Sequence, residues 1–172
     1  MKKKTIIDFI INMALLILAS GILLLPSFNY NNLKMILTII FSFYAVFKLT
    51  EFILVIKFKD FGGLYTSIIS IGCLLSILIM NLSTKNIVLV LMIWMGLMCL
   101  IKLKKADFYH DRRNKMWILR LIMLFIFIAT GLLTGLNLAN ESISQTIVIG
   151  NFFFINSLLE IIDPVVVYLI GE

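Results

Sequence analysis

Six apolar blocks, at about residues 5–25, 33–56, 64–80, 87–101, 116–136 and 145–162, occupy most of this chain and leave it few ways to fold. A helix needs about 20 mainly apolar residues to cross roughly 30 Å of hydrocarbon. The third and fourth blocks fall short of that, so they are expected to reach into their flanks or to sit where the bilayer thins. Of all residues, 62% are hydrophobic, against roughly 45–50% in a soluble domain. A small soluble domain has no core large enough for that excess. The chain therefore reads as an integral membrane protein.

The connections between blocks alternate in character. "PSFNYNN", "NLSTKN" and "NLANESISQ" are polar and almost free of positive charge, whereas "KFKDFGG" and "KLKKADFYHDRRNK" are basic. With the Lys2–Lys4 run, nearly every Lys and Arg falls on one side, leaving only Lys34 and Lys85 at the other. By the positive-inside rule both termini are expected in the cytoplasm. The apolar run after Met1 imitates a secretory signal, but Leu18 stands where cleavage would want a small residue, so an uncleaved first span is expected.

Where each block stops is informative. Pro26 has no N–H and disfavours helix at the residue before it, and the asparagines around it supply turn chemistry. The chain is expected to leave the membrane there and return at once, and likewise at "MNLSTKN" and "LNLANES". Gly21, Ser76 and Gly131 are 55 residues apart near the ends of odd-numbered blocks; Ser42, Gly96 and Gly150 are 54 apart in even-numbered ones. Small residues let transmembrane helices approach closely. These six are the expected packing notches of an internal repeat. The predicted fold is all-α: a polytopic membrane protein of six transmembrane helices as three repeated hairpins. They lie at about 5–56, 64–101 and 116–162, with a tail at 163–172 that is too short to span.

The segment "GILLLP", Gly21 to Pro26, closes the first helix of a hairpin and resembles the repeated glycine-to-proline signature of the HdeD-like acid-resistance membrane proteins. Its later copies, "SILIMN" and "GLLTGLN", end without the proline. The resemblance implies six helices as repeated hairpins, a bacterial inner-membrane location and a link to survival in acid. It defines no catalytic residues.

Ionisable side chains within membrane spans are costly and default to a functional hypothesis. Counting at 1.5 Å per residue puts Asp8, Lys48, Glu51, Arg120, Glu160 and Asp163 in the cytoplasmic third. Lys48 and Glu51 share one helix face, as do Glu160 and Asp163. The expectation is a polar layer of Lys48, Glu51, Arg120, Glu160 and Asp163, pairing Arg120 with Glu160 and Lys48 with Glu51. One use of such a layer is to bind protons or a small ion; the other is to lock helices while long side chains snorkel to the interface. A carboxylate in low dielectric is expected to favour its neutral form, which makes Glu51 or Glu160 the candidate pH-sensitive group.

Other chemistry is sparse. His110, between Asp107 and Asp111, lacks the second histidine or cysteine of a metal site and reads as part of a solvated loop. Cys73 and Cys99 form no CxxC. No nucleotide loop, metal-binding helix or nucleophile elbow is present, so neither catalysis nor a cofactor or metal is expected. No basic stripe carries stacking aromatics, which argues against nucleic acid as a partner. The expected partners are membrane lipid, with anionic headgroups at Arg112, Arg113 and Lys115; exposed small-residue faces permit a homo-oligomer and serve internal hairpin packing equally well. Trp117 and Tyr109 suit the inner aromatic belt and Tyr30 the outer; Trp94 is expected to pack in the interior. Three roles stay open: a structural or interaction component of stress type, a small oligomeric transporter or proton-linked channel, and an immunity-type protein against a membrane-active peptide.

Overall fold

A computed structural model describes residues 2–25, 32–55, 61–79, 84–111, 113–140 and 145–170. The described residues form six helices: α1 Lys2–Leu24, α2 Leu33–Val55, α3 Gly62–Ile79, α4 Thr84–Asp111, α5 Met116–Asn140 and α6 Gln145–Ile170. Each is long and apolar enough to cross a membrane. In hydrocarbon every backbone N–H and C=O needs a partner within the protein, which a continuous helix supplies. The expected turn at Pro26 and the outer turns at 80–83 and 141–144 lie outside the described residues, as do Tyr30 and Arg112.

Two boundaries differ from expectation. The fourth span does not stop at 101. Its helix runs on through "KLKKADFYHD" to Asp111, so His110 belongs to a last helical turn and not to a loop. Lysine and leucine are good helix formers, and Ala106 is buried. Past Asp111, Arg113 adopts the left-handed conformation (φ 53°). Its N–H donates to His110 O at 2.8 Å and that of Asn114 to Tyr109 O at 3.0 Å, the two bonds of a Schellman stop. The second correction is at the chain's end: the presumed tail is a continuation of α6, which passes through Pro164 to Ile170. Pro164 cannot bond the carbonyl of Glu160. The side chain of Asn12, on α1, donates to that carbonyl at 3.0 Å instead.

The helices close into a ring in chain order. The most extensive packing is α1 on α6, α2 on α3 and α4 on α5, while α1–α2, α3–α4 and α5–α6 touch less. The tight pairs thus join one expected hairpin to the next. Each tight pair has a glycine at a close approach between its helices. A Cβ on Gly63 (α3) would lie 2.8 Å from Lys48 O, one on Gly150 (α6) 2.9 Å from Leu23 Cδ2, and one on Gly131 (α5) 2.9 Å from Met95 Sδ.

Of the other expected notches, the two glycines do not seat a neighbouring helix. A Cβ on Gly21 or Gly96 would meet nothing within 4 Å. Ser42 Oγ donates back to Thr38 O at 2.8 Å and Ser76 Oγ to Gly72 O at 2.9 Å, each within its own helix.

The outside of the ring is apolar: Ile17, Ile79 and Phe125 are each more than two-thirds exposed, as lipid-facing residues are. Inside, at mid-depth, Trp94 lies fully buried among Phe41, Tyr44, Phe152 and Phe153. Its indole N–H donates to Ser70 Oγ at 3.1 Å.

Candidate functional site

Toward the basic end of the ring the apolar filling gives way to charge. Tyr44 marks the transition, eleven residues from either end of α2 (Leu33–Val55). One turn further on, Lys48 is buried and its ammonium meets three acceptors. These are Asn12 Oδ1 at 2.8 Å, Glu51 Oε2 at 2.8 Å and Glu160 Oε2 at 2.9 Å. An ammonium has three N–H donors, so this lysine is fully satisfied without water.

Glu160 is shared more widely. Its other oxygen, Oε1, faces Lys102 Nζ at 3.3 Å and Asn156 Nδ2 at 3.4 Å. Asn156 also donates to the Tyr44 hydroxyl at 2.8 Å, which carries the polar network up to mid-depth. One turn nearer the basic end, Arg120 grips Asp163 with both arms, Nε to Oδ1 at 2.8 Å and Nη2 to Oδ2 at 3.0 Å. Bidentate pairs of this kind are among the stronger polar contacts. The guanidinium lies over the Tyr109 ring, 3.6 Å from its centroid, and Lys105 reaches Asp163 from α4 at 2.8 Å. Helix α6 is therefore the hub. Through Glu160 and Asp163 it is tied to α1, α2, α4 and α5.

The five residues expected to form a polar layer, Lys48, Glu51, Arg120, Glu160 and Asp163, all line one cavity. The pairing differs from expectation in one respect: the partner of Arg120 is Asp163, and Glu160 takes Lys48 and Lys102. The cavity is about 100 Å³ and receives a residue from every helix: Asp8, Lys48, Gly63, Lys102, Arg120 and Glu160. Its lining carries four cations (Lys48, Lys102, Lys105, Arg120) and four carboxylates (Asp8, Glu51, Glu160, Asp163), so it is balanced overall. Among the described residues, Asp8 Oδ1 is buried without a hydrogen-bond partner. A space this size holds several waters or a small ion but not a metabolite, whose sites run to roughly 300–1,000 Å³.

Lys102, Lys105, Asn12 and Asn156 also belong to the site and are not among the residues expected there. Lys102 and Lys105 stand in a basic run that reads as a loop, although they lie on the extended α4. A signal for two of the four was present in the 54-residue series Ser42, Gly96, Gly150. Six positions further along it stand Lys48, Lys102 and Asn156, the three residues that meet at Glu160.

The remaining candidates lie elsewhere. Asp107, His110 and Asp111 are exposed at the end of α4, with one ligand atom from each within 4.8 Å of the others. The His110 ring packs edge-on to Trp117 at 5.1 Å. Cys73 and Cys99 are free thiols. The chain matches no family model, no curated protein and no solved structure.

Proposed function

We propose that this is a bacterial inner-membrane protein of the HdeD-like stress type. In this reading both termini face the cytoplasm, and the protein is a structural or interaction component, not a conduit. The charge asymmetry supports the orientation, because the buried cluster and the basic segment of α4 share one end. Exposed Lys104, Arg113 and Lys115 at that end suit anionic headgroups.

One observation carries the non-conducting reading. Above the cluster, Phe41, Tyr44, Trp94, Phe152 and Phe153 fill the ring, each at most 1% exposed. A path across the membrane would need polar groups beyond mid-depth, and this layer offers rings. The ion pairs below it, together with the Asn12 hydrogen bonds, then serve to hold five of the six helices in one arrangement, presenting a fixed basic face to the cytoplasm.

Three experiments test this. Reporter fusions at the two termini should both report the cytoplasm. Purified protein in liposomes should pass protons and chloride no faster than empty liposomes. Flux that Glu160→Gln abolishes would overturn the structural reading in favour of a proton-linked channel, which the cavity and the unpartnered Asp8 oxygen favour. A deletion strain should lose acid survival and regain it with the intact chain.

A further inference from the structure

Lys48, Lys102 and Asn156 recur at 54-residue intervals on α2, α4 and α6, and each points an N–H donor at one carboxylate. Their distances to Glu160 are unequal: 2.9 Å, 3.3 Å and 3.4 Å. Charge-assisted bonds settle at about 2.7–2.9 Å. Only Lys48, on Oε2, reaches that range, while Lys102 and Asn156 share Oε1 at longer distances. Lys102, left with a long contact, also lies over the Phe127 ring, 4.9 Å from its centroid. A free anion has no tether and could satisfy all three donors.

Charge and space limit what that anion is. Without Glu160, the group Lys48, Lys102 and Glu51 carries one net positive charge. A monovalent anion balances it and a divalent one overshoots. The cavity of about 100 Å³ beside Glu160 gives the side chain somewhere to turn and admits only small species.

We propose that Lys48, Lys102 and Asn156 form a cradle for a small monovalent anion, a halide or a short carboxylate, of which the Glu160 carboxylate is the built-in occupant. An incoming anion displaces that carboxylate. The charge of the layer is unchanged if Glu160 takes up one proton as it turns away, so anion and proton bind together. The groups that face this exchange are Asp8 on α1, Tyr44, Lys48 and Glu51 on α2, Lys102 and Lys105 on α4, Arg120 on α5 and Asp163 on α6; α3 lends the cavity lining no titratable side chain. The cradle exists in a sealed bundle as well as in a conducting one, so it goes beyond the structural role.

The test is anion rescue of Glu160 variants, purified in detergent and followed by thermal unfolding. Glu160→Gln keeps the shape and removes the charge. Chloride and formate should raise its Tm saturably, on the order of 5 °C, at any pH from 5 to 8. Sulfate and gluconate at equal ionic strength should not. The unaltered protein should show the same rise only toward acid pH. Lys102→Met combined with Glu160→Gln should abolish it. Glu160→Ala, if it folds, should respond like the glutamine variant. An equal response to all four salts, no response in Glu160→Gln, or a response that survives Lys102→Met would overturn the proposal.

Discussion

At mid-depth, α2, α4 and α6 meet through Phe41, Tyr44, Trp94 and Phe153, with ring centroids 5.3–5.7 Å apart. Toward the basic end the same three helices meet through Lys48, Lys102 and Glu160, with charged atoms 2.9–3.3 Å apart. In a bilayer neither contact is driven by expulsion of water, since lipid tails are as apolar as leucine. The aromatic layer is held by fit, which many side chains of similar volume can supply. The charged layer, apart from the unpartnered Asp8 oxygen, is held by completeness. Desolvating its members is costly, and the cost is offset only while every partner is present.

The largest expected effect tests completeness. Asp163→Ala leaves Arg120, 4% exposed, without its carboxylate. It should cost about 3–5 kcal/mol in reversible unfolding from detergent micelles. Leu91→Met, at a fully buried position of the apolar layer, should cost less than about 1.5 kcal/mol. The sharper variant is the pair Arg120→Met with Asp163→Leu, which removes both charges and should lose less than Asp163→Ala alone. If the pair is as damaging as the single change, the ends of the bundle do not differ in the way argued.

How much of this could be read from the sequence follows the same division. The apolar blocks give the six helices directly, because hydrocarbon admits few other backbones. Trp94 is interior, as its depth in the fourth block implied. Lys48, Glu51, Arg120, Glu160 and Asp163 were legible as costly residues in apolar runs. Their pairing was not, because pairing depends on helix rotation, which no local pattern sets. Lys102 was hidden by its company in a run of basic residues. Gly21, Gly96, Gly131 and Gly150 look alike in sequence, and only the last two face another helix closely. Pro164 announces a missing N–H but says nothing of Asn12, 152 positions earlier in the chain, which stands in for it.

A middle-sized effect tests fit. Gly63→Ala would place a methyl 2.8 Å from a backbone oxygen of α2, which cannot swing away. The α2–α3 pair should open at a cost of about 1–3 kcal/mol. Gly96→Ala meets open space and should be neutral, or stabilising by up to about 1 kcal/mol through helix propensity. Equal losses at the two sites would mean that close approach at Gly63 does not hold this pair.

An effect of similar size lies where the two kinds of contact overlap. Asn12 is uncharged, yet it serves the charged layer twice, accepting from Lys48 Nζ at 2.8 Å and donating to the Glu160 carbonyl at 3.0 Å. Asn12→Ala should cost about 1–3 kcal/mol, the penalty of leaving buried polar groups unmade. The two services can be separated by Pro164→Ala, which restores an N–H four residues beyond Glu160 and lets α6 satisfy that carbonyl itself. In the Pro164→Ala background the cost of Asn12→Ala should shrink to the part owed to Lys48. A double-mutant cycle reads the coupling directly. If coupling is absent, the carbonyl freed by proline is not what Asn12 is there to satisfy, and its role reduces to completing the ammonium's three acceptors.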